Sequence, residues 1–446
     1  MTKGGVYGAL ARFALPFLLA NFIQALYGAA DLAVVGWFGT AAEVSAVSTG
    51  TQVMQILLSM VSGLVMGGTV LIGRYYGAGD REKVQTTVNN TLGLFTYAGV
   101  LFTVLLLIFC DPALWALQTP QAAFAGAQSY VRVAACGTLF VFGYNAVAAV
   151  LRALGDSKSP LLFVAVACAA NVVLDFLLVG GFGMGPAGAA LATILSQGLS
   201  LCYAVWHIRR KMPEIVIGPA CLRLSSRFSR RILGVGFPVS LQETLVQVSF
   251  LFMAAIVNRM GVEASAAVGI CSKFDGFAML PPSAFGAALA AFAAQNLGAG
   301  KPGRAKKALT ASVGMSLAAA LVFFLWAQVS PLSIMGVFGA EKAVAQAGAL
   351  YLQSFSIDFI LVCFVFCMNG FFNGCGKTGF TMAVSLVSTV GLRIPLAAFL
   401  SSGTGGLYGL GFAAPAASLF SILFCLVYFL KGGWREERRP AAENND

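Results

Sequence analysis

The sequence predicts an all-α integral membrane protein with twelve transmembrane helices, arranged as two pseudo-symmetric six-helix lobes. Three observations predict this class: a shortage of charge, a series of long apolar segments, and an internal repeat. Of the 446 residues, 59% are hydrophobic and only 10% are charged, with a mean hydropathy of +0.84. A soluble globular chain carries roughly 25% charged residues. So few charges cannot coat a water-soluble protein of this size, and most of the surface must face lipid.

Twelve apolar segments are long enough to cross a bilayer, which takes about 18 residues or more. Backbone groups in hydrocarbon must be satisfied within their own segment, so these runs are predicted to be helices. The predicted spans are 10–38, 46–73, 88–109, 123–151, 160–180, 186–208, 231–257, 264–294, 308–331, 343–372, 379–402 and 407–430.

The distribution of positive charge predicts the orientation. With the N-terminus in the cytoplasm, 23 of the 28 Lys and Arg residues fall in cytoplasmic segments. Such a bias is the positive-inside rule, and it places both termini in the cytoplasm of a multi-pass protein of the inner (plasma) membrane. It also explains the net charge of +11 without a nucleic-acid partner. The cytoplasmic residues are Lys3, Arg12, Arg74, Arg81, Lys83, Arg152, Lys158, Arg209, Arg210, Lys211, Arg223, Arg227, Arg230, Arg231, Lys301, Arg304, Lys306, Lys307, Lys377, Lys431, Arg435, Arg438 and Arg439.

The sequence resembles itself at an offset of about 221 residues. A single offset held over six helices indicates duplication. Since each half has an even number of spans, the repeats are parallel, related by an axis along the membrane normal. The predicted domains are an N-terminal lobe (1–208), a basic cytoplasmic linker (209–230), a C-terminal lobe (231–430) and a polar cytoplasmic tail (431–446). The matching positions include Pro16 with Pro238, Tyr130 with Tyr351, Gly155 with Gly376, and Gly185 with Gly406.

The first span contains an unusual polar stripe. Asn21, Gln24, Gly28 and Asp31 recur at i, i+3, i+7 and i+10, which places them on one helix face. A carboxyl inside a span costs roughly 2.5–3.5 kcal/mol on insertion scales unless it is buried, paired or hydrated. Asp31 is therefore a candidate functional residue, and Asn21 and Gln24 are candidates for the lining of a substrate cavity.

Asn171 and Asp175 in the fifth span are one helical turn apart and form a second polar face. The structural alternative is polar contact between helices, but two carboxyls without a nearby cation are poorly suited to it. The repeat favours function as well. Met253 stands where Asp31 would be, and Leu396 where Asp175 would be. The second half builds the same fold without these carboxyls, so we expect them to perform a task of the first lobe.

The second lobe has its own charges within the predicted spans: Glu243, Lys273, Asp275, Asp358 and Arg393. Lys273 with Asp275, and Asp358 with Arg393, are candidate structural pairs. Substrate contact is the alternative for each. Glu243 has no obvious partner in the sequence and is predicted near mid-membrane, which favours a place in the substrate cavity.

Several classes of function are excluded or disfavoured. His207 is the only histidine, which excludes a site built on several histidines, and no cluster of nucleophile, base or metal ligands indicates an enzyme. The "NGCGKT" run at 373–378 lacks the first glycine of a phosphate-binding loop, and no strand precedes it. We expect no cofactor, and we expect an ion gradient, of H⁺ or Na⁺, to supply the energy. A secondary transporter is the predicted class.

Four stretches resemble the multidrug and toxic compound extrusion (MATE) family over essentially the whole chain. They are "ALPFLLANFIQALYGAADLAVVG", "LVMGGTVLIGRYYGAGDREK", "AVAAVLRALGDSKSP" and "NVVLDFLLVGGFGMGPAGAALATILSQ". The first span is similar to the DinF-like branch. The resemblance implies the MATE fold, in which two six-helix lobes enclose a central cavity, and rocker-type antiport that exports cationic or amphipathic small molecules. A lipid-linked oligosaccharide flippase of the same superfamily is the alternative. We expect a monomer in the lipid bilayer.

The resemblance also implies residue roles. Asp31, Asn171, Asp175 and Thr193 match the family's first-lobe cation site, and Pro16 matches the proline at which the first helix bends. The acidic positions that the NorM-like branch uses in the second lobe fall near Val246 and Val362. Glu243 and Asp358 each lie about one turn away, and they are assigned here to the substrate cavity.

Overall fold

The computed structural model describes residues 1–402 and 405–435, and the described part is a bundle of α-helices. Most of the polar tail predicted for 431–446 lies outside the described residues. The helices are α1 (Val6–Phe38), α2 (Ala41–Ala78), α3 (Arg81–Ala116), α4 (Gln121–Cys136), α5 (Thr138–Leu154), α6 (Lys158–Asp175), α7 (Gly185–Lys211), α8 (Ser226–Asn258), α9 (Val262–Ala278), α10 (Leu280–Gly298), α11 (Pro302–Val329), α12 (Pro331–Val337), α13 (Lys342–Phe355), α14 (Ile357–Gly374), α15 (Thr378–Leu386), α16 (Ile394–Ser402), α17 (Gly406–Gly411) and α18 (Ala413–Leu430).

The predicted number of spans is confirmed. Within the described residues, 11 helical segments are long and apolar enough to cross a membrane, and the bent pair α4 and α5 brings the total to 12. That pair bends by 49° at Gly137. The protein is therefore a multi-pass helical membrane protein, and the bent pair corresponds to the fourth predicted span.

The duplication is visible in the helices themselves. The first helix of each half, α1 and α8, has 33 residues and contains one proline, Pro16 or Pro238. Two helices that are continuous in the first half, α2 and α3, correspond to the broken pairs α9–α10 and α11–α12. Both breaks occur where prolines begin the next helix, at Pro281 and Pro331. A proline inside a helix removes a hydrogen bond and clashes with the preceding turn, which explains the breaks.

Glycines that recur in the repeat close helices in the left-handed conformation. Gly79 and Gly300 have φ of 78° and 67°, and Gly155 and Gly376 have φ of 95° and 77°. A side chain is strained at such angles, which explains glycine at both copies. Directly after Gly79, Asp80 caps α3 by accepting hydrogen bonds from the Lys83 backbone N–H at 3.0 Å and from its Nζ at 2.7 Å. The hydrogen bond from the Lys83 ammonium lowers the pKa of Asp80.

The chain forms two compact units, one of residues Ala11–Ser240 and one of Met1–Leu10 with the described residues from Leu241 onward. In the first of these, α6 packs along α7, and Ser200 donates a hydrogen bond to the Phe163 carbonyl at 3.1 Å. In the other, α10 packs closely against α14 through Gly286 and Gly370. The predicted lobe boundaries, 1–208 and 231–430, and the central cavity stay predictions.

Candidate functional site

Four polar side chains predicted for one site lie together within the first-half unit. Asp31 comes from α1, Asn171 and Asp175 from the last turns of α6, and Thr193 from α7. Thr193 donates a hydrogen bond to Asp31 Oδ2 at 3.4 Å. The carboxyl of Asp31 is also close enough to the side chains of Asn171 and Asp175 to interact with them electrostatically. Three helices therefore converge on a pair of carboxyls.

These side chains are buried and only partly satisfied. Asn171 and Asp175 are fully buried, and Asp31 is 6% exposed. Among the described residues, both carboxyl oxygens of Asp175, both amide atoms of Asn171 and Oδ1 of Asp31 lack a hydrogen-bond partner. A buried polar atom without a partner costs about 1–3 kcal/mol, and more if it is charged. Such a cluster costs the fold stability, which favours a functional role.

The donor set suits a small cation. Two carboxyls, the amide oxygen of Asn171 and the hydroxyl of Thr193 are hard oxygen ligands, the kind that cations without soft character prefer. A proton on one carboxyl would relieve the repulsion between Asp31 and Asp175 equally well. The described residues contain no group of three or more His, Cys, Asp or Glu side chains suited to a metal ion. Because it combines oxygen ligands with two neighbouring carboxyls, the cluster is chemically compatible with either H⁺ or Na⁺ as a transported ion.

Two tyrosines that were not predicted from the sequence border this cluster. Tyr27 lies one turn before Asp31 on α1 and interacts electrostatically with it, and its buried hydroxyl has no hydrogen-bond partner in the part of the chain that the structure describes. Tyr130 on α4 is 4% exposed, interacts with both carboxyls, and accepts a hydrogen bond from Thr51 Oγ1 at 3.3 Å. Two features of the sequence could have indicated these tyrosines: Tyr27 is spaced i, i+4 from Asp31, and Tyr130 recurs in the repeat.

The backbone changes at the last of these residues. Directly after Asp175, residues Phe176–Gly181 form a π-helical segment. A π-helical turn inserts one extra residue into a helix and is frequent at functional sites. The equivalent span of the second half also contains a π-helical segment, Val387–Arg393, which ends at the charged residue of that span. In each half, an energetically unfavourable backbone accompanies a charge within the span.

A small pocket adjoins the acidic cluster inside the same unit. It encloses about 320 Å³ of space not filled by atoms, open solvent included. Gln24 and Tyr27 of α1 line it together with Cys168 of α6 and Gln197 of α7. Asn21, which was predicted beside Gln24, is half-buried and is not part of this lining. The space that a water-sized molecule can occupy is only about 30 Å³, and the lining includes two glutamines and two tyrosines, so the pocket is small and partly polar.

The second-half charges form a separate group. Asp358 on α14 is 5% exposed, and it interacts electrostatically with Arg393 and with Asp275 of α9. Arg393 also lies over the Phe250 ring, with 4.7 Å between the guanidinium carbon and the ring centroid. Oδ1 of Asp358 and Oδ1 of Asp275 have no hydrogen-bond partner in the described part of the chain. The candidate pairing of Asp358 with Arg393 thus has electrostatic support.

The other candidates of the second half are arranged differently. Lys273 is exposed and two residues from Asp275, and side chains at i and i+2 of a helix do not face each other. Glu243 on α8 is half-buried. Within the described ranges, no hydrogen bond or ion pair joins Glu243 to Asp358. The substrate-cavity roles of Glu243 and Asp358 stay predictions.

Known proteins are similar to this chain over nearly its whole length. A family model described as MatE matches residues 16–177 and again 238–399, which reproduces the internal repeat. A probable multidrug resistance protein, YpnP of Bacillus subtilis, is 29% identical over 437 residues, and the match covers 97% of this chain and 97% of that protein. The FAD transporter of Shewanella oneidensis is 25% identical, with 94% of this chain and 93% of that protein covered.

Solved structures share the fold. One, described as an outward-facing conformation of a multidrug resistance MATE family transporter of the MOP superfamily, matches with a TM-score of 0.88 at 20% identity. The match covers 97% of this chain and 96% of that one. The DNA damage-inducible protein F of Escherichia coli is 26% identical over 298 residues, with 65% of this chain and 64% of that protein covered.

Proposed function

Because the chain belongs to the MATE family of membrane transporters, we propose that it exports cationic or amphipathic small molecules in exchange for H⁺ or Na⁺. One observation carries the proposal. Asp31 and Asp175 are two buried carboxyls, and five polar atoms of their cluster lack a hydrogen-bond partner among the described residues. Carboxyls in an apolar environment bind a cation or a proton, and either one neutralises the site.

Coupling follows from competition for this charge. When the ion occupies the site, Asp31 and Asp175 no longer attract a cationic substrate, and when the ion leaves, the attraction returns. Alternating access would expose the site to each side of the membrane in turn. One charge moved across 100 mV releases about 2.3 kcal/mol, which is enough to concentrate a substrate many-fold. The gradient therefore drives export without nucleotide hydrolysis.

The proposal is tested by efflux from proteoliposomes. An H⁺ gradient and a Na⁺ gradient are imposed in separate experiments. We expect one of them to drive an ethidium-like cation out of the vesicles, and the gradient that does so identifies the coupling ion. FAD serves as the anionic comparison, since one relative is described as an FAD transporter. Preference for FAD over the cation would contradict the cationic substrate class, and efflux that ignores both gradients would contradict ion coupling.

The proposed orientation places both termini and the basic linker in the cytoplasm of the inner membrane. A cysteine introduced at Glu214 should react with an impermeant maleimide only after the membrane is permeabilised. A cysteine introduced at Ala340, between α12 and α13, should react in intact cells. The unmodified chain is the control, because Cys136 and Cys202 are exposed. Labelling of Glu214→Cys in intact cells would reverse the orientation.

A further inference from the structure

A chain of three polar side chains joins the first turn of α6 to the last turns of α7. His207 Nε2 lies 3.0 Å from Ser159 Oγ, and Ser159 donates a hydrogen bond to Asp156 Oδ2 at 2.5 Å. Asp156 Oδ1 in turn accepts the backbone N–H groups of Lys158 and Ser159, each at 3.0 Å. Asp175 is 16 residues further along α6, about 24 Å at 1.5 Å per residue. The chain is therefore separate from the acidic cluster.

The hydrogen bonds determine which nitrogen of His207 holds a proton. An ionised Asp156 only accepts hydrogen bonds, and both of its oxygens are acceptors here. Ser159 has one hydroxyl proton and gives it to Asp156, so its oxygen must accept from Nε2–H of His207. A proton is then gained or lost at Nδ1. Both states of the ring keep the Nε2–H bond, but the protonated ring adds a positive charge that Asp156 attracts through Ser159.

Asp156 is the carboxylate that hydrogen bonds link to His207 through Ser159. The ring packs edge-on against Phe163 of α6 at 5.4 Å between centroids. The neighbouring cations of α7 are directed elsewhere, since Arg209 donates to the Ile217 carbonyl and Arg210 lies over the Trp206 ring. Further titratable or charged groups at this end of the surrounding elements include Lys158 of α6, Tyr203 and Lys211 of α7, Arg152 and Tyr144 of α5, Arg74 and Tyr75 of α2, Glu82 and Lys83 of α3, and Glu214 after α7.

The internal repeat shows that the fold does not need this polar chain. At the offset of 221 residues, Ser159 corresponds to Phe380 and His207 to Tyr428, and these two rings stack at 3.8 Å between centroids. Asp156 corresponds to Lys377, so the second half has no carboxylate there. One half joins its last two spans with an aromatic stack. The other, which contains Asp31 and Asp175, joins them with a hydrogen-bonded histidine, the side-chain type that most often serves as a pH switch in proteins.

We propose that Asp156, Ser159 and His207 form a proton-responsive junction that positions α6 against α7 and is strengthened when the linker side of the membrane acidifies. The junction itself does not depend on the proposed function, and only its effect on transport rests on it. Because α6 carries Asn171 and Asp175 and α7 carries Thr193, the junction fixes the two helices that hold most of the site. His207 is a positioning residue and does not touch the transported ion.

The junction is tested directly by NMR, because the chain has a single histidine. With ¹⁵N-labelled histidine, the purified full chain in detergent should show the Nε2–H tautomer at high pH. Titration should convert it to the imidazolium, and Ser159→Ala should change the Nε2 shift. An Nδ1–H tautomer at high pH, or a ring signal indifferent to Ser159→Ala, would overturn the junction whatever the protein transports.

The consequence for transport is tested with His207→Gln, whose amide can still donate to Ser159 but cannot titrate. Both proteins are given the same substrate and ion gradients, and the pH on the linker side is set to 8 or 6. We expect the ratio of wild-type to variant initial rates to change about fivefold between these values, the gain expected when a hydrogen bond becomes charge-assisted. A ratio that stays constant would overturn the responsive role.

A second variant transfers the apolar junction of the second half into the first. Ser159→Phe combined with His207→Tyr should keep α6 and α7 in close contact through an aromatic pair. The transport rate of this double variant relative to His207→Gln should not depend on the linker-side pH. Should this double variant keep the wild-type pH profile, the response lies outside the junction. If the wild type transports nothing while the NMR result holds, the proposed function fails and the junction stands.

Discussion

Asp31→Asn should abolish gradient-driven efflux while the protein remains folded and inserted. The amide has the shape of the carboxyl but cannot exchange a proton or balance the charge of a bound cation. Little bonding is lost, because within the described residues Oδ1 of Asp31 has no hydrogen-bond partner and Oδ2 accepts from Thr193 at 3.4 Å. We expect efflux of a fluorescent cation from proteoliposomes to fall to the rate of protein-free vesicles. Asp175→Asn should behave in the same way.

The control is the same substitution at Asp111, in the same half. Asp111 accepts a hydrogen bond from Gln128 at 2.7 Å and lies 3.5 Å from Arg132, and its side chain is 45% exposed. An exposed pair of this kind contributes at most about 1 kcal/mol, so Asp111→Asn should transport normally. Size-exclusion profiles establish that all variants are folded. If Asp31→Asn and Asp175→Asn both keep ion-coupled efflux, coupling must depend on other residues.

Gly370→Ala should strongly destabilise the second-half unit. A Cβ at Gly370 would overlap the backbone carbonyl of Gly286 on the facing helix, and a backbone atom cannot move aside as a side chain can. Helices α10 and α14 would have to separate along their length, where Gly374 also approaches the Ala290 carbonyl, 2.5 Å from its own ideal Cβ position. Overpacking of this kind typically costs 1–3 kcal/mol. We expect a lower midpoint of thermal unfolding in detergent.

Gly314→Ala is the matched control for this prediction. Gly314 lies inside α11 and is exposed, and apart from its chain neighbours and its own helix backbone no heavy atom of the described residues lies within 4 Å of its ideal Cβ position. Alanine is favoured over glycine in a helix by roughly 0.5–1 kcal/mol, so this variant should be as stable as the wild type or more so. Equal unfolding midpoints for the two variants would mean that the contact of α10 with α14 is not close-packed.

Much of the fold followed from the sequence because the bilayer allows few solutions. Long apolar runs must be helices, and their number gave twelve spans before any contact was known. The repeat was equally legible: the glycines at 79 and 300 recur because both copies end a helix at a positive φ. The first-lobe candidates were recognised because a carboxyl such as that of Asp31 costs free energy inside a membrane span, which indicates a function.

What only the tertiary structure decided is which faces meet. Outside its polar stripe a helix such as α1 is apolar, so the periodicity of these positions does not tell a lipid-facing side from a packed one. The contact of Thr193 with Asp31, the tyrosines Tyr27 and Tyr130 around it, and the link between Ser159 and His207 each join residues far apart in the chain. Close packing of small residues and interhelical hydrogen bonds set these neighbours, and neither is encoded in hydropathy.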